Sequence, residues 1–189
     1  MVDLSPSRLA DRSSVLEVGG RPGAGVTSVL LAFLAPASVE GPAAYLDVRG
    51  MVSPVAAADA GCRLDRLAFV RTAQVDGWAK ALGYLLDGVQ VVAAEAPRGV
   101  PAAVLRALVG RARARRRALI LHPLGWSLPA GLTAGRLDVI SSHWEGHERH
   151  IKARVDGKLA NGTAVEGELA LPSLVLSPEL PARRLVAVQ

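Results

Sequence analysis

Short apolar runs and segments of helical period take turns along most of this chain. Val15 to Val18 is a β-type run that ends in Gly19-Gly20, and Val26 to Leu34 has helical character after Gly23 and Gly25. Ala43 to Asp47 reads as a second strand, Val55 to Ala60 as a short helix stopped by Gly61, and Leu67 to Val70 as a third strand. From Val75 to Leu86 the apolar residues Trp78, Leu82, Leu85 and Leu86 fall at helical spacing. Val89 to Ala94 and Ala118 to Leu121 are almost wholly apolar, the pattern of strands buried on both faces of a parallel sheet. Between them Pro101 opens a helix with Val104, Leu105 and Leu108 on one side.

This alternation predicts an α/β fold with a mostly parallel central sheet and helices on both faces. After Pro129 the pattern changes. Strand-like runs at Leu137–Ser142, His150–Val155 and Thr163–Leu169 are punctuated by Glu145-Gly146, Asp156-Gly157 and Asn161-Gly162. Such dipeptides suit hairpins, so an antiparallel C-terminal extension of the same sheet is expected. The chain divides into an N-terminal arm (1–13), one domain (14–171) and a Pro-containing tail (172–189) with weak periodicity.

Composition narrows the setting. The 189 residues suffice for one domain with a real core. No apolar run approaches the roughly 20 residues of a membrane span, and Met1 to Arg12 lacks the apolar stretch of a signal peptide. With Cys62 as the only cysteine, a reducing, cytoplasmic location is expected, and Cys62 itself reads as buried and inert. The net charge of +5 comes from 19 Arg against 3 Lys. Arg111, Arg113, Arg115, Arg116 and Arg117 form one cluster large enough to account for it.

The most informative motif is Gly20-Arg21-Pro22-Gly23-Ala24-Gly25-Val26-Thr27, between a strand and a helix. Its frame is that of a phosphate-binding loop: glycine, four residues, glycine, a basic position, then Ser or Thr. Glycines let backbone N–H groups curl around a phosphate, and the helix N-terminus adds a favourable field. Val26, however, stands where lysine would contact the β- and γ-phosphates. The loop therefore reads as a strand-to-helix turn kept for folding. Gly20, Gly23, Gly25, Thr27 and Glu95 are the residues of this degenerate nucleotide set, and Arg21 is the loop's own cation.

At these residues the chain resembles the RecA family. Ser14-Val15-Leu16-Glu17-Val18-Gly19-Gly20 leads into the loop as in RecA. Tyr45-Leu46-Asp47-Val48-Arg49 resembles the segment that holds the catalytic glutamate, and Val89 to Glu95 resembles the Walker B strand. Ala118-Leu119-Ile120-Leu121-His122 resembles the strand before the second DNA-binding loop. The resemblance implies a RecA-like core from about Ser14 to Leu169. It also exposes departures: Arg49 at the catalytic glutamate position, Glu95 at the Walker B aspartate position, and both DNA-binding loops cut short, at 96–100 and 123–129.

Short, degenerate members of this superfamily are the ImuA-type proteins, related to RecA and SulA, and the Arg- and Ala-rich composition suits an actinobacterial type of genome. The resemblance implies a non-catalytic accessory or scaffold role in the DNA-damage (SOS) response and translesion synthesis. The partners it implies are an ImuB-like Y-family polymerase homologue and an error-prone polymerase subunit, with no ATP or magnesium cofactor. Leu174, Val175, Leu176, Leu185 and Val186 of the tail are the expected apolar anchors for a partner. Three alternatives stay open: a weak ATPase using Arg21, Thr27 and Glu95, a DNA-binding module using the arginine cluster, and a SulA-like cell-division inhibitor. Self-association through the outer edges of the core is a further possibility.

The arginine cluster ends the Pro101 helix, where cations suit the helix dipole, yet five within seven positions exceed what capping needs and fit DNA phosphates or an acidic partner. His143, His147 and His150 lie around Gly146. For His143 and His147 to converge on a metal they would have to share a helix, which the flanking pattern does not support. A strand–turn–strand with a polar tip, and no metal, is the expectation. His122 stands at a strand end, where α/β proteins place site residues, and Trp126 and Trp144 could join it as stacking surfaces.

Overall fold

The computed structural model describes residues 15–72, 74–146, 148–157 and 165–172. Eight strands form one sheet: β1 (Val15–Gly20), β2 (Ala43–Asp47), β3 (Leu67–Arg71), β4 (Val91–Ala96), β5 (Ala118–Pro123), β6 (Gly135–Glu145), β7 (Glu148–Gly157) and β8 (Val165–Pro172). Four helices connect them: α1 (Val26–Glu40), α2 (Pro54–Asp59), α3 (Val75–Gly88) and α4 (Ala102–Ala114). The strand order is β3-β2-β4-β5-β1-β6-β7-β8. The fold is thus mixed α/β with a mostly parallel sheet.

The alternation of side chains along each strand builds two cores. Leu16, Val18, Tyr45, Ala93, Ile120 and Val139 face α1 and Ala57 of α2. Val15, Leu46, Val92, Ala94, Leu119 and Leu121 face Trp78, Leu82 and Leu86 of α3 and Leu105, Leu108 and Ala112 of α4. Strands β2, β4 and β5 are buried along their whole length, which explains their unbroken apolar sequences. None of the described helices is long and apolar enough to cross a membrane.

The expected antiparallel extension needs one correction. β6 runs parallel to β1, with Val18 opposite Leu137, and the antiparallel part begins with β7. The sequence pattern of β6 could not reveal this, because the Gly135 end is fed by an 11-residue connection (124–134) that returns the chain to the start of the sheet. The seam is held by Arg136, whose Nη1 donates to Glu17 Oε1 at 2.7 Å while Nε and Nη2 donate to the Asp138 carboxylate. Burial pushes the Glu17 carboxyl up, and the Arg136 guanidinium opposes that shift. β8 extends to Pro172, the first residue assigned to the tail. The arm 1–13 and the remaining tail, including Leu174, Val175, Leu176, Leu185 and Val186, lie outside the described residues.

Candidate functional site

The C-terminal ends of β1, β2, β4 and β5 open on the crevice where ligands bind in parallel α/β sheets. β1 sits at a switch point: its chain leaves toward β2 on one side, while β6 joins it on the other. A cavity of about 420 Å³ occupies this position. Gly20, Arg21, Gly23, Gly25, Thr27 and Ser28 of the loop and first helical turn line it, together with Arg49, His122, Gly125 and Arg149.

The loop is a glycine-rich turn with Gly20, Gly23 and Gly25 at positive φ. Gly25 caps α1 with φ 107°, and among the described residues no side chain caps the first turn. Gly20 has φ 151°, and a Cβ there would lie 2.9 Å from the Val139 carbonyl oxygen and 2.6 Å from Val26 Cγ2. These contacts explain why glycine is required independently of any phosphate. Val26 itself is 7% exposed and belongs to the core cluster beneath α1. The Val26 side chain thus serves packing.

Beside the loop, Arg49 and Glu95 meet. Arg49 follows β2 and Glu95 lies near the end of β4, a strand directly paired with β2. Glu95 Oε2 accepts from the backbone N–H groups of Val48 (3.0 Å) and Arg49 (3.1 Å). Its Oε1 accepts from Arg49 Nε (3.0 Å) and Nη2 (2.5 Å). Glu95 is completely buried, and its carboxylate is enclosed by these four donors. Asp47 prepares the geometry: its carboxylate accepts from the N–H groups of Gly50, Met51 and Val52, which fixes the turn that presents Arg49. A metal ion at Glu95 would have to displace the arginine.

Arg149 of β7 enters the cavity from the other side. Its Nη1 donates to Ser28 Oγ at 2.6 Å and its Nη2 to Ser142 Oγ at 3.0 Å, with the guanidinium carbon 5.6 Å from the Trp144 ring centre. Among the described side chains it is held by hydroxyls, with no carboxylate in an ion pair. Its charge is therefore less compensated than that of Arg49, and the cavity is positive. Nothing in the sequence pointed to Arg149, because β7 reaches the loop only through the order of strands in the sheet.

His122 also faces this space. Its Nδ1–H donates to the Val18 carbonyl at 2.8 Å, so Nε2 is the acceptor of the neutral ring. Burial lowers its pKa, and the hydrogen bond to Val18 opposes that shift. Trp126 is anchored elsewhere, donating to the Ala96 carbonyl at 3.0 Å. Trp144 is 59% exposed on the β6–β7 hairpin.

The arginine cluster lies at the opposite end of the strands, where α4 ends before β5 begins. It is not one uniform patch. Arg111 and Arg115 pair with Asp87 at the end of α3, and Arg113 Nη2 donates to the Leu132 carbonyl at 2.9 Å. The Arg111 guanidinium holds the Asp87 carboxyl below its ordinary range. Arg116 closes the helix with φ 52°, the left-handed position usually given to glycine, while Arg117 N–H returns to the Ala112 carbonyl. Pocket and cluster are therefore separate features.

Most of this geometry falls within one family domain, since a family model matches residues 3–128, about two thirds of the chain. The chain belongs to the MT3502 N-terminal domain family. The matched span covers the glycine loop, Arg49, Glu95, His122 and the arginine cluster, and it ends before β6 and Arg149. No curated protein matches the chain.

Proposed function

We propose that this MT3502-family chain is a non-catalytic, RecA-like accessory protein of the ImuA type, serving DNA-damage-induced translesion synthesis through protein contacts. The observation that carries this reading is the Arg49–Glu95 clamp. Phosphoryl transfer on a phosphate-binding loop needs a lysine on the β- and γ-phosphates, a metal held by acidic and hydroxyl groups, and a residue that orients water. Here the lysine position packs into the core, and a cation covers the buried acid. The strand order, with the glycine-loop strand between β5 and β6 and an antiparallel part at one edge, supports the RecA-like part of the proposal. The ImuA setting and its partners rest on the sequence resemblance.

The cavity favours one further reading of the same site. Arg21, Arg149 and the uncapped first turn of α1 form a positive concave surface, suited to an anion held without turnover. The weak-ATPase alternative is the less favoured one, because Glu95 is engaged by Arg49.

The test of the accessory role is capture. The full chain is expected to bind an ImuB-like polymerase homologue, and a chain ending at Pro172 to lose that binding while keeping its circular dichroism. Failure of the full-length chain to capture either polymerase protein at micromolar concentration rejects the proposed role. Retained capture by the shortened chain rejects the tail as its anchor.

A further inference from the structure

The hairpin of β6 and β7 presents different chemistry on its two faces. The register pairs His143 with His150, Trp144 with Arg149 and Glu145 with Glu148. Because side chains alternate along a strand, Trp144 and Arg149 share the face that turns to the glycine loop, while His143, His150 and Glu145 share the other. On that second face the two imidazoles stack with ring centres 5.3 Å apart and planes within 19°. Glu145 Oε2 lies diagonally across, 3.6 Å from His150 Nε2. One ligand atom from each of the three residues falls within a group whose members all lie within 4.8 Å of one another.

We propose that His143, His150 and Glu145 form a surface site for a divalent transition ion of the zinc class, with water completing the coordination. Two imidazole nitrogens and one carboxylate oxygen are a donor set of the right hardness for zinc and its neighbours, and too nitrogen-rich for calcium or magnesium. Zinc holds such ligands at about 2.0–2.2 Å, which places neighbouring ligand atoms roughly 3.4 Å apart in a tetrahedron. The three groups need to close by little more than 1 Å. Their positions allow it: His143 and Glu145 are exposed, so their side chains can turn toward a shared point without leaving a packed core. The backbone supplies the organisation, since a directly opposed cross-strand pair and its diagonal are fixed by the ladder. The expectation of no metal rested on His143 and His147 needing a common helix. The hairpin instead joins His143 to His150, a pairing that depends on the register.

The alternative for the same residues is a stacked histidine pair with a surface ion pair and no affinity for metal. A titration of the full chain, prepared without a polyhistidine tag, with zinc chloride by calorimetry separates the two. Binding of one zinc per chain is expected, with His143→Ala, His150→Ala and Glu145→Ala each weakening it about tenfold or more. Cobalt(II) in place of zinc should give a visible absorption band that His143→Gln and His150→Gln, both of which keep side-chain bulk, each remove. Circular dichroism of every variant checks that loss of binding is not loss of the fold. Absence of zinc binding by the natural chain overturns the proposal. So does equal binding by the His143→Ala/His150→Ala double variant.

Discussion

Removing the guanidinium from the clamp tests the account where its physics is most explicit. In Arg49→Ala the buried Glu95 carboxylate loses two of its four donors and keeps only the N–H groups of Val48 and of residue 49. Hydrogen bonds to a charged group contribute roughly 1.5–3 kcal/mol each, and breaking a buried pair from one side costs about 3–5 kcal/mol. The Arg49 side chain is 38% exposed, so water reaches the vacated space and screens part of that loss. A destabilisation of about 2–3 kcal/mol is expected, equivalent to roughly 5–10 °C in Tm for a domain of this size. Urea denaturation of Arg49→Ala, Glu95→Gln and the double variant gives the interaction directly, and the coupling energy should exceed about 1 kcal/mol. Coupling below about 0.5 kcal/mol would refute the reasoning, because Arg49 would then be swinging free and leaving Glu95 open to a cation.

Other features give independent outcomes. Arg116→Gly should stabilise the chain by about 1 kcal/mol in the same denaturation assay, since it relieves a left-handed residue at a helix end; no gain would mean that the arginine side chain offsets its own strain. Gly20→Ala should cost about 2–4 kcal/mol, because the added Cβ meets the Val139 carbonyl and Val26 at a positive φ, and a neutral effect would contradict the loop geometry. The depressed pKa of His122 means that the unfolded chain binds more protons than the folded one between that value and about 6.5. Its contribution to stability is full above about pH 6.5 and is lost as pH falls through the folded pKa. In His122→Gln this part of the pH dependence should vanish from the denaturation curves. Burial pushes the Cys62 thiol up to about 11, so it should react with a disulfide reagent only as fast as the fold opens, and rapid modification of the native chain would contradict its placement.

The elements of the first five strands were legible because apolar runs such as Val91–Ala96 and Ala118–Pro123 are buried on both faces and bounded by glycine, proline or charge. The direction of β6 was not legible. A strand's sequence encodes which face is buried, and the face of β6 is the same whether it lies parallel or antiparallel to β1. The glycine loop could be read as a phosphate cradle with a missing lysine, because that motif is contiguous. The clamp could not: Arg49 and Glu95 each stood out alone, and their pairing depends on β2 lying beside β4. Arg149 and the His143–His150 pair were hidden for the same reason, since they come from cross-strand register and not from spacing along the chain. The arginine cluster was visible as a count, but its division into Asp87 ties, a carbonyl contact and a strained helix end required coordinates.

The most direct test of the central claim is a single-turnover assay with the full chain in excess over magnesium-ATP, following release of phosphate. The account predicts no release above the protein-free control, because Val26 packs into the core and Arg49 covers the buried acid. Release that scales with the natural chain and disappears in Glu95→Gln would contradict it.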